Sequence, residues 1–168
     1  MKKIITAIIL AALVLSLCAC GGKTSGGDSK VNDMALTDII DAIYEKKPME
    51  FPVMSFDVDV ADADSVNYYT GLSSADGIKE AIASEAAMGS QAYSLVLVRL
   101  NDASKAAEVA KAMKDGINTA KWICVQADDL QVVASGNVVM LIMTDSRLAS
   151  SSDIVDAFKG IAGSLSVE

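Results

Sequence analysis

Three apolar runs of strand-forming residues limit the folds open to this chain. Residues 93–100 are apolar at most positions, whereas a strand with one face in water alternates apolar and polar residues. Residues 130–135 and 138–144 form two further runs, separated only by Gly136 and Asn137. Two turn-forming residues between β-rich runs are a strong signal for a β-hairpin. The sequence therefore predicts a buried central strand and an antiparallel hairpin.

Helical periodicity marks the segments around these runs. Residues 34–47 and 103–120 carry apolar side chains at helical spacing. Residues 150–163 show the same spacing, and Ser150 stands three positions before Asp153, which resembles a capping box. Strands joined by hairpins favour a sheet with helices on one face. We therefore expect an α+β fold, with a mainly antiparallel sheet of about four to five strands and three helices packed on it.

The remaining segments are less uniform. Residues 54–60 alternate apolar with polar or acidic side chains, which predicts a half-buried strand. Residues 62–71 predict a turn or a short helix that ends at Gly71. Residues 78–88 leave two interpretations open, because their spacing and alanine content fit a helix while a strand turning through residues 89–91 also fits.

The first 20 residues carry the most specific motif. Two lysines precede the apolar residues 4–17, which have the length of a signal-peptide core and fall short of the ~20 residues of a membrane-spanning helix. Leu17-Cys18-Ala19-Cys20 follows and resembles the lipobox of bacterial lipoproteins. The resemblance implies cleavage after residue 19 and a diacylglyceryl group on the sulfur of Cys20. Cys18 fits less well, because bulky Leu17 would then precede the cleavage site. A plain signal peptide or an uncleaved anchor is the alternative.

This motif defines the expected organisation and location. Residues 1–19 would be a signal peptide, residues 20–32 the lipidated cysteine with a Gly- and Ser-rich flexible tether, and residues 33–168 one α+β domain. Two acyl chains on Cys20 would hold the protein stably on the extracytoplasmic face of the cell membrane. Loss of two lysines leaves 12 basic and 22 acidic residues, a net charge of −10. An acidic surface disfavours nucleic acid as a partner, and a protein or small-molecule partner stays unidentified.

Several diffuse patterns extend over residues 34–165. They are Leu36-Thr37-Asp38-Ile39-Ile40, Tyr69-Thr70-Gly71-Leu72, the Tyr93–Asp102 strand before a lysine-bearing helix, Lys121-Trp122-Ile123-Cys124-Val125, and the Ser135-Gly136-Asn137 turn. Together they resemble the bacterial lipoprotein family called domain of unknown function 4358. That family has no established activity, so the resemblance implies a fold and a location but no site. It favours a strand over a helix at residues 78–88.

Residue sets for catalysis are sparse in this chain. It contains no His, which removes Ser-His-acid triads, Cys-His dyads and histidine metal sites. Ser-x-x-Lys, Gly-x-Ser-x-Gly and the glycine-rich phosphate motifs are also missing from the sequence. We therefore expect a non-enzymatic binding or accessory module without a cofactor. The alternatives are an envelope-acting hydrolase that uses carboxylates such as Asp57, Asp59 or Asp145, and a structural assembly factor of a surface complex.

An acidic run is the one candidate metal site. Asp57, Asp59, Asp62 and Asp64 carry carboxylates of the kind that Ca²⁺ prefers. The run has neither the turn glycine nor the closing glutamate of an EF-hand loop. Because Asp57 and Asp59 occupy the polar face of an alternating strand, exposure to solvent is the favoured interpretation and no metal is expected.

Two aromatic residues are candidate contacts for a ligand or partner. Trp122 is the single tryptophan and could anchor a partner, although packing in the core is the favoured interpretation. Tyr68 and Tyr69 are expected to point to opposite faces of an extended segment, which would leave one of them, such as Tyr69, free for recognition.

The remaining thiol would have no disulfide partner. Cleavage would remove Cys18, and lipidation would block Cys20, so that Cys124 alone keeps a free sulfur. Its apolar neighbours predict a buried, inert cysteine.

Overall fold

The computed structural model describes residues 29–167, which form one antiparallel five-stranded sheet and four α-helices. The predicted α+β class is confirmed. The signal peptide, Cys20 and the tether up to residue 28 lie outside the described residues, and their assignments stay predictions. The strands are β1 (Val53–Asp57), β2 (Ile78–Ala86), β3 (Tyr93–Leu100), β4 (Asp129–Ser135) and β5 (Val138–Thr144), and the helices are α1 (Leu36–Lys46), α2 (Ala63–Thr70), α3 (Ala106–Gly116) and α4 (Ser151–Ala162).

Helices cover both faces of the sheet, whose strand order is β1-β2-β3-β5-β4. Val66 of α2 and Met113 of α3 belong to one hydrophobic core, whereas Ile39 of α1 and Phe158 of α4 belong to a second. Alternate residues of β3 enter these two cores, and every residue of β3 and β5 is buried. The expectation of helices on one face is wrong, because successive side chains of a strand point to opposite faces and an unbroken apolar run needs cover on both.

The ambiguous segment at residues 78–88 is a strand. β2 pairs with β1 on one side and β3 on the other, with Ala83 opposite both Phe56 and Val96. The alanine content of residues 78–88 alone favours a helix. Pairing on both sides supplies the backbone hydrogen bonds, and this tertiary context overrides the weak local preference.

Side-chain caps set several helix boundaries. Residues 62–71 contain the short helix α2, which is an additional helix beside the three that the sequence predicts. Its start is capped by Asp62 Oδ1, which accepts a hydrogen bond from the Asp64 amide at 3.1 Å. α3 is shorter than the predicted 103–120, because a 3₁₀ turn precedes it and Gly116 ends it. α4 starts as predicted, with Ser150 Oγ accepting from the Asp153 amide at 3.3 Å.

The C-terminal ends of α2 and α3 meet at two glycines. Gly71 has φ of 75°, and a Cβ at this position would lie 2.3 Å from the backbone nitrogen of Ile117. A Cβ on Gly116 would lie 2.1 Å from the Gly71 carbonyl oxygen. This approach places Ile117, the first residue of the loop of residues 117–128, which we call the 117–128 loop, against the end of α2.

The chain enters the domain before residue 33. Val31 is fully buried in the core under α1 and α4, and residues Lys30–Asn32 form a 3₁₀ turn. The buried Arg99 donates hydrogen bonds to the carbonyl oxygens of Val31 at 3.2 Å and Asn32 at 2.6 Å, and to that of Met34. Residues 29–32, which the sequence analysis assigned to the tether, are therefore part of the domain.

Candidate functional site

A buried lysine lies at one end of the sheet, on the face covered by α2 and α3. The Lys121 side chain is 1% exposed, and its Nζ lies 2.5 Å from Glu85 Oε1 and 3.2 Å from Ser94 Oγ. Glu85 and Ser94 are opposite each other in the β2–β3 register, which places their side chains on one face. The sheet therefore supplies both polar contacts of the ammonium group.

Three aromatic rings complete the surroundings of this ammonium group. Lys121 Nζ lies 4.7 Å from the ring centroid of Tyr68, 5.0 Å from that of Tyr69 and 5.4 Å from that of Trp122. These distances are within the ~6 Å over which the negative face of an aromatic ring attracts a cation. We call this set the lysine cage; its members are Lys121, Glu85, Ser94, Tyr68, Tyr69 and Trp122.

Both tyrosines reach the cage because α2 is a helix. Consecutive helical residues are separated by about 100°, so that both rings can border one site. The two rings are in edge contact at 4.8 Å, and Tyr69 also packs against Phe56 at 5.3 Å. Tyr68 is the more exposed ring, at 44%. The expectation of an extended segment with the two rings on opposite faces is wrong.

Burial of the ammonium group and the negative charge of Glu85 shift the pKa of Lys121 in opposite directions. Loss of water around the ammonium lowers the pKa of Lys121 below its usual range, and the carboxylate of Glu85 opposes this shift. Partial burial raises the pKa of Tyr68 and Tyr69, and the negative charge of Glu85 raises it further. The phenols therefore stay neutral at pH 7, with their ring faces available to a cation.

The structure brings the two candidate contact residues together. Trp122 is half-buried against the core under α2 and α3, as the favoured interpretation expected, and it also borders the cage. Tyr69 approaches the same Lys121 ammonium group from α2. The sequence indicates these two rings as separate candidate contacts and gives no signal that Lys121, Glu85 or Ser94 belongs to the same site.

Two exposed apolar residues are neighbours of cage members. Ile123 follows Trp122 and is 99% exposed. Met54, which is 60% exposed, stands opposite Glu85 in the β1–β2 register. Cys124 is also exposed, so the prediction of a buried thiol is wrong. The reason is that Cys124 lies in the 117–128 loop, where Trp122 contacts the core and the two residues after it point to solvent.

The acidic run has local roles in the structure. Asp57, Asp59, Asp62 and Asp64 are all exposed. Asp59 Oδ1 accepts a hydrogen bond from the Ala61 amide at 2.9 Å, and Asp62 caps α2. Within residues 29–167, no group of three or more His, Cys, Asp or Glu side chains is arranged to hold a metal ion.

Asp145, the third carboxylate of the alternative hydrolase, is paired with a neighbouring arginine. Arg147 Nε donates to Asp145 Oδ1 at 2.9 Å, and Arg147 Nη2 lies 2.5 Å from Oδ2. These hydrogen bonds lower the pKa of Asp145 to about 2. A carboxyl group with so low a pKa is ionised at pH 7 and does not serve as a general acid.

A scan against models of protein families gave no match to this chain, and searches for similar curated proteins and similar solved structures gave none either. The resemblance to a lipoprotein family therefore stays a prediction. Within residues 29–167, none of the helices has both the length and the apolar character needed to cross a bilayer.

Proposed function

We propose that this chain is a lipid-anchored, non-enzymatic binding module on the extracytoplasmic face of the cell membrane, and that the lysine cage and its apolar surroundings form its recognition surface. The observation that carries the proposal is the buried ammonium group of Lys121, enclosed by three rings. Exposed apolar residues gathered in one place mark interaction sites, and Trp and Tyr are enriched in binding hot spots.

The anchor part of the proposal is supported by the N-terminal motif. Leu17 stands three positions before Cys20 and small Ala19 directly before it, after an apolar run of signal-peptide length. Two acyl chains on Cys20 would suffice for stable attachment, whereas one chain binds a bilayer only marginally.

The direction of β3 relates the anchor to the recognition surface. Arg99 at the end of β3 holds residues 31–34, where the chain arrives from its N-terminal segment. Ser94 at the start of β3 contacts Lys121. Five residues of extended strand separate these positions by about 17 Å. The tether from Cys20 would therefore join the domain at one end of β3, with the cage near the other end.

The anchor is tested by two matched cysteine substitutions in the full chain. Cys20→Ser should abolish incorporation of labelled palmitate and release the protein from the membrane fraction. Cys18→Ser should leave both unchanged, because Cys18 lies in the segment that is removed. Palmitate labelling of the Cys20→Ser chain would overturn the anchor.

The recognition surface is tested by cross-linking in intact cells. Ile123→Asp should remove the cross-linked species formed by the wild type, since Ile123 is 99% exposed beside the cage. Ala107→Asp adds the same charge at an exposed position of α3 and should leave the species in place. Equal loss with both variants, or enzyme-like turnover of envelope material by the purified protein, would overturn the proposal.

A further inference from the structure

We propose that the lysine cage is a binding site for a primary alkylammonium group, and that Lys121 of the chain itself occupies this site until an external amine displaces it. The proposal rests on the proposed function, because it names the ligand class of the same recognition surface.

The contacts of Lys121 define the chemistry of the ligand. A primary ammonium carries three N–H donors, and Glu85 and Ser94 accept two of them at 2.5 and 3.2 Å. The rings of Tyr68, Tyr69 and Trp122 face the same charge. A quaternary ammonium has no N–H group and would leave the carboxylate and the hydroxyl without a partner, which is costly in a buried site. The cage therefore selects primary over quaternary ammonium.

Lys121, the occupant of the cage, lies in a loop, whereas most of the other cage residues lie on strands or on a helix. Glu85 and Ser94 lie on paired strands, and both tyrosines lie on α2. Lys121 lies in the 117–128 loop, which presents Ile123 to solvent. Loops of this kind open at lower free energy than paired strands or packed helices. Withdrawal of the loop would empty the cage and leave four of its side chains in place.

Exchange does not change the net charge inside the cage. The Lys121 ammonium is held in a site where loss of water works against it, and release returns that charge to solvent. An incoming ammonium then meets Glu85, which would otherwise lack its counter-ion. The exchange replaces one ammonium by another and leaves no charge buried alone.

Competition with Lys121 sets the expected affinities. A side chain on a short loop acts as a competitor at millimolar or higher effective concentration. Removal of the Lys121 side chain should therefore strengthen binding of an external amine. The n-butylammonium ion is a suitable probe, because its four carbons and ammonium reproduce the lysine side chain.

Trp122 provides the signal for the experiment, since it is the single tryptophan of the chain and borders the cage. The full-length lipoprotein in detergent is titrated with n-butylammonium at constant ionic strength and pH. Lys121→Ala should give a saturable fluorescence change at a concentration about tenfold or more below that of the wild type. Glu85→Gln added to Lys121→Ala should weaken binding about tenfold or more, because the counter-ion is lost. Tetramethylammonium should bind Lys121→Ala more weakly than n-butylammonium does.

Hydrogen exchange of the wild type keeps the proposal testable if Lys121→Ala fails to fold. Saturating n-butylammonium should accelerate amide exchange in the 117–128 loop and leave α3 unchanged. No saturable response from folded Lys121→Ala would overturn the proposal. So would a wild type whose loop exchange is unchanged at about a hundred times the concentration that half-saturates the variant, because Lys121 would then not be displaceable.

Two sources present the same ammonium chemistry, a free amine and a lysine side chain of a polypeptide. Titrations of the wild type with 1,4-diaminobutane and with acetyl-lysine amide distinguish them, and the tighter ligand identifies the source. Failure of both would overturn the proposal. The Cys20→Ser chain keeps the cage intact, so its amine binding separates a failure of this proposal from a failure of the anchor.

Discussion

Two buried cations near opposite ends of β3 are held in different ways. Arg99 is 3% exposed and bonds to three backbone carbonyl oxygens, to Asn137 and to Glu80. Lys121 is surrounded by three rings, with Glu85 and Ser94 as its polar partners. Arg99 contacts the backbone of a segment more than 60 residues away in sequence. Within residues 29–167, the hydrogen bonds and ring contacts of the Lys121 ammonium group are with side chains.

The difference separates a structural contact from an exchangeable one. A planar guanidinium has five donors in fixed directions, so that carbonyl oxygens at matching positions hold it in one orientation. The aromatic rings impose no such directional requirement on an ammonium, so another ammonium that has N–H donors for Glu85 and Ser94 can take its place. We therefore expect substitution of Arg99 to affect mainly the stability of the fold and substitution of Lys121 to affect mainly binding.

The largest effect is expected for Arg99→Met, which leaves three backbone carbonyl oxygens without their donor. The free energy of unfolding in urea should fall by about 3–5 kcal/mol. Arg147→Met is the matched control, because the Arg147 side chain is 85% exposed and its pair with Asp145 should contribute little to the free energy of unfolding. Equal losses from the two variants would remove the distinction between a structural cation and a surface cation.

Glu85→Gln should have the next largest effect, because it leaves the Lys121 ammonium buried without a counter-ion. We expect a loss of about 3 kcal/mol in the free energy of unfolding. Glu108→Gln breaks an exposed pair with Lys105 and should leave the free energy of unfolding nearly unchanged. Lys121→Met should restore most of the stability lost in Glu85→Gln. No restoration would mean that Glu85 acts through contacts other than Lys121.

Gly71→Ala tests the glycine contact that places the end of α2 beside the 117–128 loop. Gly71 and Gly77 both have positive φ, of 75° and 80°, but a Cβ at Gly77 has nothing within 4 Å. Gly77→Ala should therefore cost about 1 kcal/mol for its left-handed backbone alone. Gly71→Ala should cost at least about 2 kcal/mol, because its Cβ would also meet the Ile117 nitrogen. Only Gly71→Ala should shift the fluorescence of Trp122, and a shift in both would separate the cage from this glycine contact.

The smallest effect concerns the pH dependence of stability that Lys121 contributes. The pKa of Lys121 is lowered in the fold, so the unfolded chain binds that proton more tightly. Between the lowered pKa and the usual value of about 10.5, stability should rise with pH. The free energy of unfolding of the wild type should therefore increase relative to that of Lys121→Met as the pH is raised from about 7 towards 10.

The sequence contains most of the information about the sheet, because strand signals are local. The apolar runs at residues 93–100 and 138–144 and the turn at Gly136 and Asn137 predict β3, β5 and the β4–β5 hairpin. The same apolar runs also contained the signal for helices on both faces, since β3 and β5 offer apolar side chains to each side. At residues 78–88, helix and strand patterns overlap, and only pairing with β1 and β3 decides between them.

The lysine cage could not be predicted from the sequence, because its members come from separate elements. Lys121 lies 36 positions from Glu85 and 27 from Ser94, and neither spacing follows a known motif. For Trp122 and Tyr69, the sequence indicates only that each is an aromatic side chain that could contact a ligand or partner. Cys124 was wrongly predicted to be buried, because the apolar composition of its neighbours does not show which loop residues point outward.

The Arg99 contact also determines where mechanical load would enter the fold. A pull on an N-terminal anchor would reach residues 29–34 first, and through Arg99 it would act on β3, the middle strand of the sheet. Part of the same load would reach the edge strand β4, because the Ser29 hydroxyl lies 2.7 Å from Ser135 Oγ. Tension on the N-terminal segment would therefore act on the side-chain contacts of Ser29 and Arg99 before it reached the hydrogen bonds between strands, and the lysine cage, at the other end of β3, lies outside these contacts.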